Sequence, residues 1–218
     1  MYSFNQKTID RRDLAEIACD IEINKLKQPS GKQDQYISVY GGVSEFSINK
    51  KGFVKVKNLK ISNETVLDLE DNLLLFFTGF SRNSSLILKE QNIKTLKNSK
   101  DIIDNLDYVK SLGLQIKESL IKGNCYEFGK LMHEHWKNKL KRSKNMSNTK
   151  INSVYDFAMK NGAVGGKLIG AGGGGFLMFY TNSPAQLRNA MKKKNFEEVR
   201  FKFDFEGVKQ IFWKSMML

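Results

Sequence analysis

Five glycines fall within six positions at Gly170-Ala171-Gly172-Gly173-Gly174-Gly175, and the chain then runs straight into Phe176-Leu177-Met178-Phe179-Tyr180. The spacing satisfies G-x-G-x-x-G, which in dinucleotide-binding folds must open a helix directly after the last glycine. An apolar run of this length is instead a buried strand. A Walker-type loop would end in Lys-Ser or Lys-Thr, and neither follows here. Residues 166–180 therefore read as strand, glycine loop, strand. Such a loop serves where the backbone takes dihedrals closed to other residues or passes close to a neighbouring group. By itself the pattern fits a structural hairpin as well as a binding one.

Around this hairpin the chain alternates helices and strands. Residues 10–27 carry an N-cap candidate, Asp10, and an apolar stripe of Leu14, Ile17, Ala18 and Ile21. Pro29-Ser30-Gly31 breaks the chain, and a short helix follows from about Lys32 to Tyr40, stopped by Gly41-Gly42. Strands are expected at 43–48 and 53–57 with a turn between them, and at Leu73–Phe77. Helices are expected at 84–97, 99–122, 150–161 and 184–194, and strands near 197–205 and 208–213. Residues 124–141 form the cleanest amphipathic helix, with Cys125, Phe128, Leu131, Met132, His135, Trp136 and Leu140 on one face. Helices set on an antiparallel sheet define an α+β class.

The net charge is +13 over 218 residues, supplied mostly by lysine. Lys137–Lys144 and Lys192–Lys194 are the densest runs. Two readings compete: lysines spread over solvated faces, or a nucleic-acid surface. The runs contain almost no interleaved aromatics, which weighs against the second. Two cysteines, Cys19 and Cys125, are too few for a disulfide framework and suit a reduced intracellular chain. Residues 1–12 contain no apolar targeting core, and no apolar run reaches membrane-spanning length. A cytoplasmic protein without a membrane partner is expected.

Two carboxylates stand on the helices that flank the Pro-Ser-Gly break. Glu22 lies beside the apolar stripe of the first, and Asp34 begins the second, where a helix N-terminus favours negative charge. A tight turn between consecutive helices can bring both to one point. Taken singly, an Asp at a helix start is usually a cap, and a Glu at a stripe edge is usually solvated. His133-Glu134-His135 is not read as a metal site, because residues two apart on a helix point to different sides. His135 shares the apolar face and reads as a hydrogen-bonded core or pocket residue, while His133 faces the polar side.

Together these motifs resemble a known family. Lys167-Leu168-Ile169-Gly170 through Phe176 resembles the third motif of the GHMP kinases. Glu22-x6-Pro29-Ser30-Gly31-x2-Asp34-Gln35 resembles the Glu…Pro-x-Gly…Asp segment of galactokinases and mevalonate kinases. Gly31-Lys32-Gln33-Asp34-Gln35-Tyr36, Tyr40-Gly41-Gly42, Phe77-Thr78-Gly79-Phe80-Ser81-Arg82 and His133-Glu134-His135-Trp136 look most like heptose 7-phosphate kinases, from about Asp13 to about Phe212.

The resemblance implies the end of an S5-like N-terminal domain over 1–65 and a GHMP C-terminal domain over 66–218. It implies ATP and Mg²⁺ as cofactors, a sugar phosphate as acceptor, and transfer to an anomeric hydroxyl in polysaccharide biosynthesis. It implies Asp34 as base and Glu22 as metal ligand. Gln35, Tyr36, Gly41, Gly42 and Arg82 would contact the sugar, and Gly170, Gly172, Gly173 and Gly174 the nucleotide. Family members also carry a Gly-Leu-Gly-Ser-Ser phosphate loop, which this sequence lacks. The expectation is a fragment that begins at Met1 just past that loop and is inactive alone. Its first-helix stripe would then pair with a second copy or with the missing segment. A fucokinase-like sugar 1-kinase is the alternative within the class. A basic nucleic-acid-binding module, or a remnant that only associates with other proteins, is the alternative outside it.

Overall fold

A computed structural model describes residues 8–79, Ile93, 100–142, 144–170 and 172–209. The chain forms two compact units. One comprises Met1–Leu59 with Phe203–Leu218, the other Lys60–Lys202.

The first unit opens with α1 (Arg11–Cys19). Asp10 caps it, its carboxylate accepting from the Arg12 amide at 2.8 Å. The helix widens into a π-helical turn over Asp20–Lys25. Next come α2 (Gln33–Tyr40), β1 (Ser44–Ile48) and β2 (Val54–Asn58), the two strands paired antiparallel with Phe46 opposite Val56. The small core is Ala15, Cys19, Tyr36, Val39 and Val54. The expected apolar stripe is thus displaced. Ala15 and Cys19, four apart, are the buried line, while Ile17 and Ile21 are 37% and 44% exposed. The helix is turned so that Glu16, between them in sequence, meets polar groups of α2.

The second unit contains α3 (Asn63–Asn72), β3 (Leu73–Phe77), α4 (Lys100–Ile121), α5 (Cys125–Leu140), α6 (Thr149–Lys160), β4 (Gly165–Leu168), β5 (Phe176–Tyr180) and α7 (Pro184–Lys193). Sequence pattern leaves α3 unassigned, although Ser62 caps it by accepting from the Thr65 amide. The strands form an antiparallel sheet in the order β3-β5-β4. Leu74 sits opposite Phe179 and Phe76 opposite Leu177, so alternate residues project to one face. There they meet Trp136, Ile151, Tyr155, Leu187 and Met191 from three helices. Each such apolar side chain stabilises the fold by about 1.5–3 kcal/mol relative to exposure.

Helix α5 lies directly on β4. A Cβ at Gly165 would stand 1.9 Å from the Gly129 carbonyl oxygen, so only glycine admits this approach.

The strand expected at 197–205 does not form. One bridge joins Glu198 to Phe76, and the Val199 amide donates to the Leu75 carbonyl at 2.8 Å. The Glu198 carboxylate is taken up by Arg188, 3.0 and 2.7 Å away, and from Phe203 the chain belongs to the first unit. Residues 208 and 209 are not a strand either. The rest of that expected strand, the helix at 84–97 apart from Ile93, and Arg82 lie outside the described residues. Both cysteines are free and buried, and no described helix is long and apolar enough to cross a membrane.

Candidate active site

In the first unit, the turn between Lys25 and Lys32 folds α2 back along α1. Glu22 projects from the π-helical turn and accepts a short hydrogen bond from the Gln35 side-chain amide. The Gln35 Oε1 on the same amide is buried and has no donor, as is Ser30 Oγ of the Pro-Ser-Gly break. Asp34 sits next to Gln35 in the first turn of α2. Its carboxylate is exposed and has no partner among the described residues, while its backbone carbonyl accepts from the Ser38 hydroxyl at 2.7 Å. The two sequence-predicted carboxylates are therefore linked through Gln35.

Glu16 is the residue that sequence reasoning misses. It accepts from Lys32 Nζ at 2.9 and 2.8 Å and from the Tyr36 hydroxyl at 2.5 Å. Burial pushes its carboxyl up, but the hydrogen bonds from Lys32 and Tyr36 outweigh that and hold it below the ordinary range. Burial, then the Glu16 hydrogen bond, pushes the Tyr36 phenol well above its usual range. Lys32 also donates to the Gly52 carbonyl at 3.0 Å, tying the break to the β1–β2 turn. Tyr36 thus acts here through Glu16 and through packing on Phe46, ring centres 6.0 Å apart.

Gly41 and Gly42 both have positive φ. The Gly42 amide donates to the Asp204 carbonyl at 2.6 Å, and a Cβ at Gly41 would lie 2.6 Å from the Gly207 amide nitrogen. Both glycines are fixed by the returning segment of the same unit.

The glycine loop of the second unit joins β4 to β5. Gly170, Gly172, Gly173 and Gly175 all have positive φ. The Gly173 amide donates to the Met146 carbonyl at 2.9 Å, and a Cβ at Gly172 would come within 2.8 Å of Met146 Sδ. Thr78 donates both its amide and its hydroxyl to the Gly175 carbonyl, each at 2.8 Å. Gly174 is partly exposed in the same loop. Lys139 Nζ donates to the carbonyl of Gly170 and, at 3.5 Å, to that of Leu168.

Of the two histidines, His133 departs from what its side of the helix suggests, whereas His135 is partly buried as the apolar side suggests. His133 is drawn in, stacked on Tyr155 at 5.8 Å with Nδ1 2.6 Å from its hydroxyl. Tyr155 in turn donates to the Gly166 carbonyl at 3.0 Å. His135 has a buried Nδ1 with no partner, so it is not the hydrogen-bonded residue expected. Nor are the lysines of 137–144 all solvated: Lys139 is only 7% exposed. No group of three or more His, Cys, Asp or Glu side chains able to hold a metal occurs among the described residues.

Residues 116–198 match the family model described as GHMP kinases C terminal. Over 201 residues the chain is 31% identical to a D-glycero-alpha-D-manno-heptose 7-phosphate kinase of Campylobacter jejuni, covering 90% of this chain and 58% of the relative. It is 30% identical to an L-fucokinase/L-fucose-1-P guanylyltransferase of Bacteroides fragilis, covering 73% of this chain and 17% of that protein. Among solved structures, a sugar kinase from Campylobacter jejuni superposes with a TM-score of 0.68 at 27% identity, covering 95% of this chain and 59% of the other. A D-glycero-D-manno-heptose 1-phosphate kinase from Bacteroides thetaiotaomicron superposes with a TM-score of 0.63 at 25% identity, covering 93% and 55%. The chain spans less than two thirds of the length of each of these relatives.

Proposed function

Because the chain belongs to the GHMP kinase superfamily, we propose that it carries the base and a metal ligand of an ATP-dependent sugar kinase. The proposed acceptor is the anomeric hydroxyl of D-glycero-α-D-manno-heptose 7-phosphate, and the product is the 1,7-bisphosphate. The observation that carries this reading is the Glu22–Gln35 contact, which ties the two helices on either side of the Pro-Ser-Gly break and leaves the neighbouring Asp34 carboxylate free.

In this reading Asp34 accepts the proton of the acceptor hydroxyl as its oxygen attacks the γ-phosphorus and ADP departs in line. Phosphoryl transfer asks mainly for such alignment and for charge stabilisation. The residues fit a magnesium ion. Glu22 is an oxygen donor of the kind such an ion takes, and its Oε2 accepts from the Gln35 side-chain amide. Glu22 would hold the ion, which when bound neutralises charge on the phosphates. In the first unit Gln35, Tyr36, Gly41 and Gly42 would contact the sugar; in the second Gly170, Gly172, Gly173 and Gly174 would present backbone to the nucleotide.

L-Fucose is the second reading for the acceptor, favoured by the Bacteroides fragilis relative. The experiment replaces the matched residues of the Campylobacter jejuni kinase with this chain. The chimera is then assayed with ATP, magnesium and either heptose 7-phosphate or L-fucose. Turnover of the heptose phosphate alone supports the first reading, and of fucose alone the second. A folded chimera that turns over neither sugar removes both.

A further inference from the structure

The first turn of α2 is gripped from α1 and the π-helical turn at three of its residues. Lys32 is the N-cap of α2 and Tyr36 follows four positions on, so the two lie on one face. Glu16 holds both. Its carboxylate accepts from Lys32 Nζ at 2.9 and 2.8 Å and from the Tyr36 hydroxyl at 2.5 Å. Lys32 also donates to the Gly52 carbonyl at 3.0 Å, in the turn between β1 and β2. The Tyr36 ring is buried, with its centre 6.0 Å from those of Tyr40 and Phe46. Six residues beyond Glu16, Glu22 accepts from the Gln35 side-chain amide.

Asp34 lies among these three contacts in sequence and takes part in none of them. It is two positions from Lys32 and two from Tyr36, hence on the other side of the helix, and it is exposed. Glu16 thereby fixes the rotation of α2 about its axis, and with it the direction in which Asp34 points. The arrangement asks a carboxylate to give up water. Burial pushes the Glu16 carboxyl up, and the hydrogen bonds from Lys32 and Tyr36 outweigh it.

We infer that Glu16 and Lys32 are positioning residues for phosphoryl transfer, holding the first turn of α2 so that Asp34 meets the acceptor hydroxyl. The inference rests on the reading of Asp34 as base. In that step the hydroxyl proton passes to the Asp34 carboxylate as the oxygen–phosphorus bond forms. The bond from the γ-phosphorus to the departing ADP oxygen breaks, and Glu16 and Lys32 touch no reacting atom. A misplacement of about 1 Å can cost on the order of 10²-fold in rate, so a loosened first turn should show in turnover. The side chains of Lys32 and Glu16 are 26% and 40% exposed, so solvent limits what their pairing adds to stability and the fold should survive its loss.

The test compares Glu16→Gln, Asp34→Asn and the double variant in the chimeric kinase. Glu16→Gln is expected to lower kcat about ten-fold while the KM for the sugar stays within about two-fold. In the Asp34→Asn background the same change should cost nothing further, because Glu16 acts through Asp34. Lys32→Met probes the pair from its other side if Glu16→Gln does not fold, with the same fall in kcat expected. Near-normal turnover of Asp34→Asn, or a folded chimera that turns over neither sugar, removes the reading of Asp34 as base and this inference with it. A fall with Asp34→Asn but an unchanged kcat with Glu16→Gln overturns the inference and leaves that reading standing. An equal loss from Glu16→Gln with and without Asp34 also overturns it, since the effect would then run elsewhere. A second readout needs no turnover. In the 218-residue chain the carboxyl carbon resonance of Asp34, assigned by its loss in Asp34→Asn, should move in folded Glu16→Gln, and an unmoved resonance overturns the inference.

Discussion

Glu16 in α1 meets a cation and a hydroxyl supplied by α2, whereas Lys139 in α5 meets backbone carbonyls and other cations. Both are charged side chains drawn inward from a helix, each in its own unit. In the first unit the counter-charge is built in, and Lys32, sixteen residues on, completes the arrangement. In the second, Lys139 and Lys167 have no carboxylate partner among the described residues, and Lys139 donates to backbone carbonyls. A paired charge can be explained by the fold alone. Lys139, which has no carboxylate partner among the described residues, is instead pushed by burial and neighbouring cations toward losing its proton. Asp34 is a third case, a free carboxylate at the surface of the paired unit.

That third case gives the largest expected effect. In the chimeric kinase, Asp34→Asn is expected to lower turnover on the order of 10²-fold or more, as loss of a general base does. Binding of the sugar should change far less, because the amide keeps the shape. Near-normal turnover would return Asp34 to an ordinary helix-start residue and leave Glu22 as the carboxylate proposed for the reaction on these two helices.

Next in size is Gly165→Val in the second unit. Its Cβ would stand 1.9 Å from a backbone oxygen of α5, so the helix must move off the strand. The cost is about 2 kcal/mol or more in urea unfolding. In the first unit, Gly31 has open space where a Cβ would go, so Gly31→Ala should be near neutral. Equal midpoints for the two variants would mean that α5 is not seated on β4, and with it the convergence of Lys167 and Lys139 would fall.

The strand–glycine–strand hairpin is legible in sequence because its signal is local: the period changes at Phe176 and no helix pattern follows the last glycine. The Glu22–Gln35 link is only half legible. The Glu-Pro-Ser-Gly-Asp-Gln spacing places both helices, but periodicity cannot say that the amide of Gln35 rather than the carboxylate of Asp34 turns toward Glu22. The stripe of α1 is misread because Ile17 and Ile21 are more hydrophobic than Ala15 and Cys19, yet the small residues are what the close neighbour α2 admits. Lys139 is hidden inside a run of lysines. Nothing local distinguishes it from Lys137 or Lys141. Its burial depends on β4, about thirty residues away, whose Gly165 lets the strand approach the helix at Gly129.

The third prediction reads the Lys139 charge directly. In the folded chain Lys139 titrates near 7, against an ordinary lysine value of about 10.4 when unfolded. Between those values the unfolded chain binds the extra proton, so stability rises with pH across that window, by at most about 1.4 kcal/mol per pH unit. Lys139→Met should flatten this slope in urea unfolding. An unchanged slope in the variant would show that Lys139 is no more perturbed than a surface lysine, and the contrast with Glu16 would vanish.

The smallest effect belongs to the compensated charge. Glu16→Gln keeps an oxygen for the Tyr36 hydroxyl but gives up the ion pair with Lys32. The Glu16 side chain is 40% exposed, so solvent screening limits the loss to about 0.5–1 kcal/mol at neutral pH. The sign of the pH dependence follows from the lowered carboxyl. The unfolded glutamate takes up its proton first as pH falls, so the stabilisation is fully present above the ordinary carboxylate range. It disappears as pH drops through the lower folded value. The difference between wild type and Glu16→Gln should therefore be constant from pH 6 to 8 and shrink as pH falls below the ordinary carboxylate range. High salt should reduce the neutral-pH difference as well, since the pair is open to ions. A difference that does not shrink with acidification at all would mean that Glu16 acts through packing rather than charge. Its pairing with Lys32 would then no longer stand as the counterpart to Lys139, which has no carboxylate partner among the described residues.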